Sequence, residues 1–165
     1  MSSLTFRITS RTQLAMLGWM ISVYGVLIAI YLYFYGFTIQ SPYKYIFAAF
    51  FILDILPALL VHFQYLSKNN GAVLTIDRTS HDLTYKNDTL DFKYQFGDIE
   101  AMEHVASYGG GSWYSFSEYR YFKIQFKDKN EIYVTCLMIS DIKNVLETIL
   151  GIQATKKLRL VAFIK

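Results

Sequence analysis

The sequence predicts two apolar helices folded as a membrane hairpin, followed by an α+β domain of antiparallel strands, a barrel or sandwich capped by a C-terminal helix. Three observations predict it. No Asp, Glu, Lys or Arg occurs from Thr12 to Tyr43, and Asp54 is the only one from Tyr45 to Ser67. From Gly71 onward apolar residues alternate with polar ones. Near residue 140 the spacing changes to that of a helix. The division predicted is therefore a transmembrane hairpin over 1–70 and a cytoplasmic β-rich domain over 71–165.

Composition agrees with this split. Of the 165 residues, 53% are hydrophobic and only 18% charged, against roughly 25% charged in a soluble domain. A net charge of +3 is too weak for nucleic acid to be the expected partner. Cys136 is the only cysteine, which excludes an internal disulfide and any cysteine-rich metal site. Its expected role is a small buried side chain in a strand.

The first span is read at 14–37, LAMLGWMISVYGVLIAIYLYFYGF, 24 residues without a charge. A spanning helix needs about 20. The run is too long for a signal-peptide core of about 7–15 residues, and no small-residue cleavage site follows it.

The second span is read at 43–66, with Asp54 near its middle. A central Asp costs about 2.5–3.5 kcal/mol on the insertion scale. The segment also holds 13 Leu, Ile, Phe and Val residues. At about −0.3 to −0.6 kcal/mol each they contribute roughly −4 to −8 kcal/mol. The apolar contribution wins, so insertion is expected despite the acid. Pro57 has no N–H for the carbonyl of Leu53, which predicts a mild kink.

The short linker from Gly36 to Pro42 makes the spans antiparallel neighbours. Arg7 and Arg11 precede the first span, Lys68 and Arg78 follow the second, and only Lys44 lies near the connection. Positive charge thus predicts both termini in the cytoplasm. Tyr31, Tyr33, Phe34, Tyr35, Phe37, Tyr43 and Tyr45 would form an aromatic belt at the opposite interface.

Gly18, Ser22, Gly25 and Ala29 fall on one face of the first span. Small residues let backbones approach where apolar burial gives no drive, so this face is expected to pair with the second helix, with Ala48 and Ala58 as counterparts. Asp54 lies at the depth of Ser22, Tyr24 and Gly25 and is expected to face the first helix and hydrogen-bond Ser22 or Tyr24, as a carboxylate or in its protonated form. An intramembrane acid is also a functional candidate by default, here for proton or ion handling in an oligomer.

In the domain, Leu74 and Ile76, Leu83 and Tyr85, and Leu90, Phe92, Tyr94 and Phe96 each alternate with polar residues. So do Phe122, Ile124 and Phe126, and Ile132, Val134 and Cys136. Period two with one apolar face predicts half-buried antiparallel strands, and the polar gaps at 78–82, 87–88 and 128–130 read as turns. Ser140 is the expected N-cap of a helix, with Asp141 in its first turn. Ile142, Val145, Leu146, Ile149 and Leu150 form its apolar stripe, and Gly151 stops it. The basic tail KKLRLVAFIK from Lys156 to Lys165 suggests an edge strand or a membrane-facing arm.

VLTIDRTSHDLTYKND, then FKYQFGDIEAME, then YFKIQFKDKNEIYVTCLMISDIKNVLETIL, placed after two membrane spans, resemble bacterial pleckstrin-homology-like membrane proteins, including the YcxB-like group. The resemblance covers nearly the whole chain and rests on pattern and order. It implies two nearly orthogonal sheets capped by a C-terminal helix, no enzymatic activity, and a bacterial inner membrane. Phosphoinositide binding through the first hairpin is not expected, because Arg78 and Lys86 are diluted by Asp77, Asp82 and Asp88.

No catalytic, cofactor-binding or metal-binding residues are expected. His62, His81 and His104 lack metal-ligand spacing. No Gly-x-Ser-x-Gly elbow is present, and no Gly-Lys-Ser/Thr follows the glycines at 109–111. Trp113, Tyr114 and Phe116 in the glycine-rich segment, and Lys156, Lys157 and Arg159 in the tail, are the candidates for lipid or partner contact. The expected function is a non-enzymatic, membrane-anchored module that binds a protein partner, a second copy or anionic lipid at the inner leaflet. The alternative is a small transport or proton-handling protein using Asp54.

Overall fold

Helix and strand form where the periodicity demands, with two additions. The computed structural model describes residues 3–36, 41–108 and 114–164. Phe37 with the rest of the interhelical connection, Trp113 and Lys165 lie outside them. The chain opens with β1 (Ser3–Arg7), which the sequence pattern did not reveal. Next comes α1 (Ser10–Tyr35), whose N-cap Thr9 forms a reciprocal capping box with Thr12. The second rod comprises α2 (Ser41–Phe50), a π-helical turn at Phe51–Ile55, and α3 (Leu56–Asn69). Pro57 explains that turn. It cannot donate to the residue four back, so the backbone widens and Leu56 N–H reaches Phe51 O instead. The kink expected at Pro57 is taken up as this π-turn.

The rods are antiparallel. Tyr35 and Tyr43 share a hydrogen bond of 3.0 Å. Tyr31 meets Phe47 edge-on at 5.3 Å, and Tyr24 reaches Asp54. Tyr43–Asn69 is long and apolar enough to cross a membrane. A second such helix is counted if Ser10–Gly18 and Met20–Tyr35, bent by 42°, are one span.

Two four-stranded sheets follow. The first has the order β1-β2-β3-β4, adding β2 (Val73–Asp77), β3 (Asp82–Lys86) and β4 (Asp91–Gln95). The second has the order β7-β6-β5-β8: β5 (Ile99–Ser107), β6 (Arg120–Phe126), β7 (Glu131–Thr135) and β8 (Thr155–Arg159). Neighbours are antiparallel except β5 and β8, which run parallel. Because β1 pairs with β2 from Ser3↔Asp77 to Arg7↔Val73, the hairpin is inserted between the first two strands of one sheet. The division expected at residue 70 is therefore crossed by a β ladder.

The C-terminal helix α4 (Ile142–Leu150) ends at Gly151, whose φ of 66° is the left-handed cap that glycine adopts without strain. Its N-cap is Asp141, not the expected Ser140. The Ser140 carbonyl is instead engaged by the Arg120 guanidinium.

The second sheet is buried on both faces. Met102, Phe122, Ile124 and Val134 face the first sheet and α4, packing with Leu74, Ile76, Ile142 and Leu146. Val105 and Tyr121 face the other way, onto Ala58, Val61 and Tyr65 of α3. The domain thus has two cores, and one of them is made with the hairpin.

Candidate functional site

The buried polar residues of the second rod converge on the domain. Ala58, Val61, His62, Tyr65 and Asn69 are the buried residues of α3. They sit one helical turn apart on a single stripe, as a packed helix face requires. Each polar member finds a partner. Asn69 Nδ2 donates to Tyr85 Oη at 3.1 Å and to Tyr133 O at 2.7 Å. Tyr65 Oη donates to Ala162 O at 2.7 Å. Gln64 pairs with the backbone of Ile164 in both directions, at 2.8 and 2.9 Å. His62 Nδ1 and Tyr119 Oη share a bond of 3.0 Å.

Asp54 is the uppermost of these anchors and is only 6% exposed. Tyr24 Oη donates to its Oδ2 at 2.7 Å. The backbone N–H of Ser115 donates to Oδ1 at 2.6 Å, and Ser115 Oγ donates to Oδ2 at 3.0 Å. One carboxylate thus joins α1, the second rod and the turn at Ser115–Glu118. The sequence anticipated the Tyr24 bond. Ser115 could not be anticipated, since it lies 61 positions from Asp54 in a segment with no periodicity. The Asp54 carboxyl thereby gives an acceptor to a backbone amide that no helix or strand satisfies.

The small-residue face does not pair the helices. Ser22, Gly25 and Ala29 are exposed, and a Cβ built on Gly18 or Gly25 would meet nothing within 4 Å. The contact instead uses Tyr24, Tyr31 and Tyr35, because a hydrogen bond to Asp54 and edge-on rings outweigh close backbone approach.

The contact candidates also separate. Tyr114 is 55% exposed and stacks on Phe116 at 5.3 Å. Phe116 is buried in the core beneath the second sheet, so its ring belongs to packing. Lys156 is exposed on β8. Lys157 pairs with Glu103 at 3.1 Å, an acid supplied by the neighbouring strand. Arg159 turns inward to donate to Phe163 O at 2.6 Å. The tail is therefore a strand whose charge is partly satisfied, and Lys156 is the one of the three that is exposed with no ion pair among the described residues.

Burial pushes the Cys136 thiol up to about 11, leaving it protonated at neutral pH. Burial likewise raises the Tyr119 phenol, so it meets His62 as a neutral hydroxyl. At this junction the hydrogen bonds hold two parts of the molecule together.

None of the curated proteins compared matches the chain. A family model described as PH domain matches residues 5–144. That span takes in most of β1, the hairpin, β2 to β7 and the start of α4, and leaves out β8; on it the chain belongs to the PH-domain family.

Proposed function

We propose that the chain is a membrane-anchored, non-enzymatic binding module, its PH domain held at the cytoplasmic face to engage a protein partner or anionic lipid. The observation that carries the anchor is the outward surface of the rods. Tyr33 is 85% exposed, Leu53 68%, Leu14 64% and Phe63 61%. A continuous apolar surface of this kind marks contact with lipid or protein. The bonds to Asp54 satisfy its oxygens inside the protein, which lowers the cost of placing it at membrane depth. Arg7, Arg11 and Lys68 on the domain side support cytoplasmic termini. The finer resemblance, to YcxB-like two-span membrane proteins of bacteria, belongs to this same proposal.

Membership of the PH-domain family supports binding over catalysis, since such domains are generally interaction modules. Lys156 would contribute about 1 kcal/mol toward an anionic surface. Proton handling by Asp54 is disfavoured, because its oxygens are taken up by Tyr24 and Ser115. Alkaline carbonate washing of membranes carrying the full chain tests the anchor. Retention in the pellet is expected, and release into the supernatant would end the proposal. Crosslinking in native membranes would then separate a partner protein from a second copy.

A further inference from the structure

The rungs between the second rod and β6 run in the same direction. Ser115 meets Asp54, Tyr119 meets His62, and Tyr121 packs on Tyr65 at 5.9 Å. The start of β6 and the turn before it therefore climb the rod toward the hairpin tip. At 1.5 Å per residue, Asp54 lies about 12 Å above His62 and about 16 Å below Tyr43. A hydrocarbon core is about 30 Å thick. If the rod spans, Ser115 stands near mid-depth.

We propose that the connection between β5 and β6, at Tyr114–Phe116, is a second membrane-embedded element, seated among the acyl chains of the domain-side leaflet. This rests on the membrane-anchor reading above and specifies how the domain meets lipid. Non-helical backbone at membrane depth must have its polar groups satisfied from within the protein. Among the described residues, the turn meets that demand at three amides and one hydroxyl. Ser115 N–H and Oγ bond Asp54, Ser117 N–H bonds Tyr114 O at 3.0 Å, and Tyr119 N–H bonds Phe116 O at 3.2 Å. Among the described residues of the turn, the exposed side chain at this level is the aromatic ring of Tyr114, at the depth of Leu53 and Leu56, which are 68% and 38% exposed on the rod. A tyrosine there can bury its ring while its hydroxyl reaches back toward polar groups. The first exposed charge along the chain is Glu118, one position from the His62 rung. It sets the headgroup level, followed by Arg120. On this account Asp54 is in the membrane because the turn is: it supplies the acceptor that water would supply elsewhere.

Depth measurement tests this in the full chain, with Cys136→Ala as background and single cysteines placed by Leu53→Cys, Tyr114→Cys and Glu118→Cys. Each is spin-labelled in phosphatidylcholine vesicles containing phosphatidylglycerol. Collision with oxygen, which partitions into lipid, is compared with collision with a water-soluble nickel chelate. The expected oxygen-to-nickel ratio is several-fold higher at 53 and 114 than at 118. A ratio at 114 as low as at 118, with 53 still high, overturns the embedded turn and leaves the anchor standing. A low ratio at 53 overturns both. A photoreactive benzoylphenylalanine at position 114 keeps the ring and gives an independent readout. A lipid adduct at 114 and none at 118 is expected, and no lipid adduct at 114 overturns the proposal.

Discussion

The two halves of the second rod have similar apolar composition and opposite surroundings. Below the π-turn, α3 buries a full stripe against the domain, and each of His62, Gln64, Tyr65 and Asn69 holds a partner across that contact. Above it, α2 meets α1 through Tyr43 and Phe47 and leaves Tyr45, Ile46 and Phe50 exposed. Asp54 sits at the border, and the π-turn that Pro57 imposes lies there too. Polar residues in an apolar helix are usually read as a path for ions or protons. Here the buried ones, Asp54, His62 and Asn69, lie at the border and on the half where a folded domain docks, and they belong to that docking, whereas Lys44 of α2 is exposed.

The comparison breaks most visibly at Tyr65. This ring has no exposed surface and bonds Ala162 O. Tyr65→Ala should cost about 3–5 kcal/mol, the range for emptying an aromatic site, measured by denaturation of the full chain in detergent. Asp54→Ala comes next. It strips Ser115 N–H and Tyr24 Oη of their acceptor, which costs about 2–4 kcal/mol when buried groups are left unpaired. Asp54→Asn keeps an accepting oxygen and should lose less, and equal losses would argue that the carboxylate charge, not the acceptor, is what matters.

Two buried histidines sharpen the same contrast. His62 is bonded to Tyr119. His104, on the opposite face of the second sheet, stacks on Phe122 at 4.8 Å, and its ring nitrogens have no hydrogen-bond partner among the described residues. Burial first, then Arg120, Lys143 and Lys156, hold its pKa below the ordinary value, with Glu147 opposing. The unfolded chain then binds the extra proton. Stability from this site is complete above the unfolded value of about 6.5 and falls as pH drops below it, by at most about 1.4 kcal/mol per pH unit. His104→Phe should flatten that part of the stability–pH curve. An unchanged slope would exclude His104 as its source. The smallest effect belongs to the upper half: Phe50→Ala should change protein stability by less than about 0.5 kcal/mol, because its ring is 54% exposed. A loss as large as that of Tyr65→Ala would mean that α2 has a protein neighbour.

What could be read from the sequence follows from the range of each interaction. Period-two runs such as Leu83–Tyr85 and Phe122–Phe126 declare their strands, and Gly151 declares the end of α4. β5 escaped because a bulge between Ile99 and Ala101 shifts its register and breaks the alternation a reader looks for. β1 escaped because five residues before a long apolar helix carry too little pattern, and their partner is some seventy positions away. The small face of α1 misled for a related reason: spacing shows which residues share a face, but not whether a stronger contact, Tyr24 with Asp54, turns that face outward. The acid at Glu103 that pairs with Lys157 could not be seen from the tail alone, since it lies 54 positions upstream.

The claim that Asp54 clamps the β5–β6 turn to the rods is tested most directly by hydrogen–deuterium exchange of the full chain in lipid vesicles. The account predicts that Asp54→Ala speeds exchange in the peptide over 114–119 while peptides from 43–53 keep their protection. Unchanged exchange over 114–119 would contradict it.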